Sequence, residues 1–397
     1  MIKTYKVMLC PNNKQRSKLF LYAAAARYAY NWTIATESEN HKLGRPFIKA
    51  KDLRKQFTQF KRTPEYRTEF NKASNDAMKQ GIRDAIGAFE KFFAHKANYP
   101  KFKSAHKAKP SFYQDTHVIK FTETHVRIQN ISDTKRRSRD VLNWIRLAEH
   151  NRIPINAKYV NPRITYDGLN WWITVGIEVP DEQPVILSDG IGIDLGIKDL
   201  AILSDGTKYA NLNKSQHIKE LKRRERRLQR SISRKFRKNN PITKKGVRYK
   251  KTRNITKIQK QLLKLTRRIT SILREHTQEV ITETVAKKPK FIVLEDLAVK
   301  NMLKNKKLSK AIAGQRFSIF RKLMTDACQK HRIPLFIANR WLPSSKLCCK
   351  CGHIKRDLTL RDRTYKCPIC GNVIDRDYQS AINLKNYGEQ QYLQLVI

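Results

Sequence analysis

Apolar residues change their period along the chain, and each change marks a different kind of element. From Met1 to Cys10, Ile2, Tyr5, Val7 and Leu9 alternate loosely with polar neighbours, which predicts a short strand; residues near 14 to 38 then read as helix. Met78, Ile82, Ile86, Phe89 and Phe93 recur three or four apart and lay an apolar stripe along a further helix, so residues 11–105 read as a helical insert. Beyond Tyr99-Pro-Lys-Phe-Lys the period shortens. Across residues 112–128, 141–148 and 158–179, Val, Ile, Phe and Thr alternate with polar residues, predicting short antiparallel strands. The run Val179-Pro-Asp-Glu-Gln-Pro-Val is rich in Pro and acid, and a domain boundary is expected there.

After residue 185 the pattern predicts a strand over 190–203, a long basic helical stretch, a strand at 291–295, a helix over 315–331 and a strand at 334–338. A cysteine-rich segment and a last helix follow. Strands alternating with helices predict an α/β sheet. Within the basic stretch, Ile255, Ile258, Leu262, Leu265, Ile269 and Ile272 keep helical spacing, and Ile218, Leu221, Leu228 and Ile232 repeat it more weakly. An antiparallel helical hairpin over 214–276 is expected, turning at Asn239-Asn240-Pro241 and Gly246.

Charge narrows the choice of partner. Lys and Arg number 83 against 34 Asp and Glu, a net +49, or about one uncompensated positive charge per eight residues. Such self-repulsion calls for a polyanion. An apolar fraction of 40%, with five Trp, fifteen Tyr and sixteen Phe, excludes a disordered basic tail. No apolar run reaches the roughly 18 residues of a membrane span, and the start lacks a secretory core, so a soluble, intracellular protein is expected. An anionic membrane surface would call for one basic amphipathic helix rather than charge spread everywhere; nucleic acid fits better. On the hairpin, Arg223, Arg227 and Arg230 are candidates for phosphate contact, the alternative being a solvated coiled-coil surface.

Five of the seven cysteines crowd between 348 and 370, against a secreted disulfide framework. Cys348-x-x-Cys351, fifteen residues, and Cys367-x-x-Cys370 match a four-thiolate structural Zn²⁺ site, each pair followed by Gly352 or Gly371. Cys349 is extra, and Cys10 and Cys328 read as small core residues. Three carboxylate positions also stand out. In Gly190-Ile-Gly-Ile-Asp-Leu-Gly, alternation separates Ile191, Ile193 and Leu195 from Gly192, Asp194 and Gly196, leaving Asp194 on an open face. The apolar run 291–294 ends in Glu295, at the carboxyl end of a strand, where open α/β sheets place their sites, and Asp296 faces the other way. In Asp375-Arg-Asp, Asp377 shares a helical face with Ala381 and Leu384. Singly, each has an ordinary reading: Asp375 as a helix cap, Glu295 in a salt bridge, Asp194 in a turn. Together they suit an oxygen cage for two Mg²⁺ ions, as in phosphodiester cleavage.

At these residues the sequence resembles the TnpB (OrfB) family of transposon-encoded RNA-guided nucleases, related to the compact type V CRISPR effectors. Gly192-Ile-Asp-Leu-Gly-Ile-Lys resembles the family's first RuvC motif, Leu294-Glu-Asp-Leu its second and Asp375-Arg-Asp its third, with Pro343-Ser-Ser-Lys-Leu-Cys opening the zinc segment. Arg27-Tyr-Ala-Tyr-Asn-Trp, Ala88-Phe-Glu-Lys-Phe-Phe and Tyr99-Pro-Lys-Phe-Lys-Ser extend the resemblance through the front half. It implies an α/β multidomain protein. A β-barrel wedge domain would occupy 1–10 and 106–183, with a helical recognition insert at 11–105. An RNase H-like RuvC nuclease domain would occupy 186–342 and 371–397, and a zinc-binding target module 343–370. The resemblance also implies a catalytic triad of Asp194, Glu295 and Asp377 working with Mg²⁺, a guide RNA and a double-stranded DNA target, and a monomeric, cytoplasmic prokaryotic protein in a ribonucleoprotein. Asn75, Lys79, Gln80 and Arg83 are the implied readers of the target-adjacent motif. Where the family usually has Asn, this chain has Gln379, and Ser380 stands where Ala is common. Other readings are a guided DNA-binding regulator that no longer cuts, a type V effector, and a transposase that joins DNA ends.

Overall fold

A computed structural model of the chain describes residues 1–129, 143–180, 185–240, 251–359 and 362–396. Two units emerge, Met1–Asp181 and Glu182–Ile397.

In the first unit, β1 (Ile2–Cys10) leads into α1 (Asn13–Lys42), which starts on a capping box: Asn12 and Gln15 each accept from the other's backbone N–H at 2.9 Å. Next come α2 (Ala50–Phe60) and α3 (Asn75–Phe93), the latter capped by Ser74. Met78, Ile82, Ile86 and Phe89 are buried as the stripe requires. Phe93 is not; at the helix end it meets the rings of Phe47 and Phe92 at the surface. The strands β2 (Ser111–Tyr113), β3 (Lys120–Phe121), β4 (His125–Arg127), β5 (Trp144–Leu147), β6 (Tyr159–Tyr166) and β7 (Trp171–Glu178) join β1 in one antiparallel sheet of order β2-β6-β7-β1-β5-β4-β3. The first strand of the chain is thus central, pairing Ile2 with Glu178 on one side and Leu9 with Leu147 on the other. Its inward residues, Val7 and Leu9, share a core with Leu19 and Tyr22 of α1 and with Ile173 and Val175. That alternation turns Cys10 outward, so it is exposed and not the core residue expected. The start of the strand expected at 141, and residues 181–184 of the Pro- and acid-rich run, lie outside the described residues.

The second unit opens with β8 (Ile191–Leu195), β9 (Asp199–Leu203) and β10 (Lys208–Ala210). The single strand expected over 190–203 is therefore a hairpin, pairing Ile193 with Leu203. Its turn is built from Gly196, Ile197 and Lys198 and is held from outside, the Gly196 carbonyl accepting from Gln315 Nε2 at 2.7 Å. Helices α4 (Gln216–Asn239) and α5 (Arg253–Ala286) pack through Ile218 and Leu221 against Leu265, Ile269 and Leu273, as in an antiparallel hairpin. The expected turn residues Pro241 and Gly246 lie outside the described residues. α5 continues past 276, and its Val280, Ile281 and Val285 join the sheet's core.

Then follow β11 (Ile292–Glu295), α6 (Val299–Met302), α7 (Ser309–Gln315), α8 (Phe317–His331), β12 (Leu335–Ala338), β13 (Thr364–Lys366), β14 (Val373–Asp375) and α9 (Arg376–Val396). Arg316, at φ 57°, breaks the helix expected over 315–331 into α7 and α8. The sheet order is β10-β9-β8-β11-β12, with β8, β11 and β12 parallel and β9 and β10 antiparallel. Against this sheet lies α9. Gly192 permits its close approach, because a Cβ there would collide with the backbone carbonyl of Ala381.

Candidate active site and zinc centre

Because side chains alternate along a strand, Asp194 shares the face of β8 on which Gly192 meets α9. Glu295 ends β11, the parallel neighbour of β8. The two carboxylates meet at Ser380 of α9, whose Oγ lies 3.0 Å from Asp194 Oδ1 and 3.3 Å from Glu295 Oε1. Ser344 completes the group. Its hydroxyl donates to Glu295 Oε1 at 2.5 Å and sits 2.9 Å from Ser380 Oγ. Asp377, in the first turn of α9, accepts from Arg376 Nη2 at 3.0 Å and lies 3.4 Å from Arg363 Nη1.

Two neighbouring acids turn away from this group. Asp375 Oδ1 accepts the backbone N–H groups of Asp377 and Tyr378, both at 3.0 Å, and so caps α9. Asp296 is gripped by Arg321 at 2.9 Å and Arg340 at 2.5 Å, which hold its carboxyl below the usual carboxylate range. Asp194 is shifted the other way. Withdrawal from water, then the charges of Glu295 and Asp377, push its carboxyl well above the ordinary value of 3.8. Hard carboxylate oxygens fit Mg²⁺, and a cation beside Asp194 would remove that penalty, while Asp377 is partly neutralised by Arg376 and Arg363.

Gln379 is wholly buried on α9, and neither of its amide atoms has a hydrogen-bond partner in the protein. The next residue, Ser380, reaches both carboxylates. Ser344 and Asn383 were not singled out in the sequence. Asn383 Nδ2 donates to the carbonyls of Ser344 and Leu347, both at 2.7 Å, and Leu347 precedes the first zinc cysteine. A signal for Asn383 was present, since it lies three residues beyond Ser380 on one helical face.

The four thiols of Cys348, Cys351, Cys367 and Cys370 have sulfur atoms within 4.8 Å of one another, the only such group of three or more acidic, His or Cys ligands among the described residues. Cys348 and Cys370 are 3.6 Å apart, and Cys351 and Cys367 3.5 Å, close to the about 3.8 Å edge of a tetrahedron with Zn–S of roughly 2.3 Å. The two knuckles repeat one geometry. Cys348 N–H bonds His353 O and Cys367 N–H bonds Asn372 O, each at 2.8 Å, and Gly352 and Gly371 take left-handed φ of 73° and 68°. Backbone N–H groups of Cys370 and Ile369 bring Cys367 down to about 6. The His353 N–H pulls Cys351 the same way, but burial and the three neighbouring thiols outweigh it and push Cys351 up to about 12. Four crowded thiols cannot all ionise without a cation, and the set can hold a structural zinc ion. Cys349 stands outside it, 3.7 Å from Asn372 Nδ2, and Cys328 is a buried core thiol pushed up to about 12 by burial.

Of the candidate readers, Gln80 is committed to Asp84 at 3.0 Å, which also holds Arg163 through two bonds of 2.6 and 2.7 Å. Asn75 accepts from Lys61 at 2.8 Å, and Lys79 lies 3.8 Å from Asp76. Asn75, Lys79 and Arg83 are exposed. Arg223, Arg227 and Arg230 are exposed on α4, the last two lining an open groove of about 600 Å³ with Arg226, Arg234 and Arg237.

Residues 174–306 match an OrfB family model described as "Probable transposase", residues 317–384 one described as "Cas12f1-like, TNB domain", and residues 1–45 one described as "Helix-turn-helix domain". In this chain the last span folds as β1 followed by the unbroken α1. A relative from Streptomyces pristinaespiralis, named "Putative RNA-guided DNA endonuclease", is 26% identical over 385 residues, 96% of this chain and 88% of the relative. One from Escherichia coli (strain K12), with the same name and the suffix InsQ, is 25% identical over 399 residues, 96% and 91% of the two chains. In fold, the chain is similar to the mini-RNA-guided endonuclease CRISPR-Cas phi3, with a TM-score of 0.53 at 11% identity over 99% of this chain and 92% of that one. The OrfB models thus match residues 1–45 and 174–306, and the similarity to the two relatives extends over 96% of the chain.

Proposed function

We propose that the chain is an RNA-guided, Mg²⁺-dependent DNA endonuclease of a transposable element, cutting beside a short adjacent motif. The carrying observation is the convergence of Asp194 and Glu295 on Ser380, with Asp377 close enough to raise the Asp194 pKa. The sheet order around them supports an RNase H-like RuvC nuclease domain over 186–342 and 371–397, with 343–370 as its zinc-binding target module. The first unit is assigned as a β-barrel wedge with the recognition insert at 11–105, and the protein as a monomer on a guide RNA. The names of the relatives support RNA and DNA as partners.

Asp194, Glu295 and Asp377 would hold the metal. When bound, Mg²⁺ supplies Lewis-acid stabilisation of the attacking and leaving oxygens of a phosphodiester. The chain's own groups prepare the site: Ser344 and Ser380 fix Glu295 and Asp194, Arg376 and Arg363 hold Asp377, and Asp375 anchors the helix end that carries it. Alanine at Asp194, Glu295 or Asp377 should each lower cleavage of a guide-matched DNA in Mg²⁺ by more than about 10²-fold, with RNA and guided DNA binding retained. Asp375→Ala should cost about 1 kcal/mol of helix capping and leave most cleavage. If all three triad variants cut like the parent, the nuclease reading fails and a guided binding protein replaces it.

A further inference from the structure

Trp341 is 85% exposed, more than any other large apolar side chain among the described residues. Its backbone is nevertheless firmly placed. Its N–H donates to Asn339 Oδ1 at 2.9 Å, and the Leu342 N–H to the Asn339 carbonyl at 3.0 Å. On one side, Arg340 is tied to Asp296, the neighbour of Glu295. On the other, Ser344 donates to Glu295 itself. The indole is therefore tethered at both flanks to the end of β11, and three residues of chain span at most about 10 Å. The preceding residue, Arg340, and Arg321 of α8 are both half-exposed and share the single carboxylate of Asp296, so positive charge is left over.

We propose that Trp341 is a stacking platform for an unpaired base of the DNA strand presented to Asp194, Glu295 and Asp377, within about three nucleotides of the phosphate that is cut. This rests on the nuclease reading and adds a contact to it. An exposed π face suits any base, and the surplus cations suit the adjoining phosphates. A purely apolar partner would leave those cations unanswered. Stacking on Trp341 would fix the path of a strand that has left its duplex and so set which phosphate reaches the carboxylates.

The test separates stacking from cutting. In guide-loaded protein carrying Asp194→Ala, subtraction of the Trp341→Phe signal isolates this indole from the other four tryptophans. Its fluorescence should be quenched when target DNA is added and not when guide RNA is, and an abasic residue at one position within about three nucleotides of the cut should restore it. In the cutting protein, Trp341→Ala and Trp341→Leu should slow cleavage about tenfold with guided binding unchanged, and Trp341→Tyr should keep most of the rate. Quenching completed by guide RNA alone, quenching indifferent to every abasic position, or a Trp341→Leu variant that cuts like the parent would each overturn the proposal. A parent protein that fails to cut refutes the nuclease reading instead, and the quenching experiment then still decides whether a base stacks on Trp341.

Discussion

The carboxyl group of Asp194 sits where a negative charge is least welcome, withdrawn from water and facing two other acids, and its pKa rises in consequence. An acid with a higher pKa in the folded chain than in the unfolded one binds more protons when folded. Its contribution to stability is then fully present below the ordinary value of 3.8 and is lost as pH rises from there through the raised folded value. Asp205 and Asp84 run the other way: Lys287 and Arg163 hold their carboxyls low, so they add stability as pH rises. The raw pH profile mixes these opposed contributions, and the difference between the parent and Asp194→Asn isolates one. Measured by urea midpoint in a chelator, the parent should lose stability relative to Asp194→Asn as pH rises above about 4. Adding Mg²⁺ should close that gap at the upper end. A difference that stays flat with pH would show that Asp194 is not in this environment.

At the scale of elements, α9 does several jobs with residues spaced three apart. Asp377, Ser380 and Asn383 share one stretch of its surface and reach Arg376 and Arg363, the two carboxylates, and the Ser344–Leu347 segment. Because Leu347 adjoins Cys348, the four-cysteine cluster and the carboxylates are joined through one amide. Cys348→Ser and Cys370→Ser should each lose the zinc, about one per chain in the parent, and cleavage should fall with it. Asn383→Ala should keep the zinc, lower stability by about 2 kcal/mol by leaving two carbonyls without their donor, and still reduce cleavage. Metal analysis alongside a cleavage assay checks this; unchanged cutting by Asn383→Ala would separate the two centres. Some of this was legible beforehand and some could not be. Period-2 alternation put Asp194 opposite Ile193 because parity along a strand is a local property. The β8–β9 hairpin escaped because Gly196-Ile-Lys contains no Pro or Asn, and its turn is held by Gln315, far away in sequence. Ser344 was out of reach for the same reason: its bond to Glu295 joins residues 49 apart. Phe93 continued the stripe of α3 but reached its end, where there was no core left to enter.

For the molecule as a whole, the net charge of +49 leaves a question of distribution: whether positive groups stand in rows that follow a phosphate backbone or merely keep the surface solvated. Helix α4 is the sharpest case. Its Ile218 and Leu221 are buried, while Arg223, Arg227 and Arg230 are exposed at spacings of four and three. At 1.5 Å per residue these rise about 5 to 6 Å apart, so one face of the helix could engage successive phosphates. Contacts of that kind release counterions, and each one steepens the fall of affinity with salt. Replacing Arg223, Arg227 and Arg230 together by Gln keeps helix propensity and removes three charges of 83. If these side chains meet nucleic acid, the slope of log affinity against log salt should become shallower by about two to three, one per lost contact, and the loss of affinity should be greatest at low salt. A general loss of field would instead weaken binding slightly and leave the slope nearly as it was, because three scattered charges among 83 release few condensed ions by themselves. A parent-like slope in the triple variant would return α4 to the role of a solvated helix and move the phosphate contacts elsewhere on the chain.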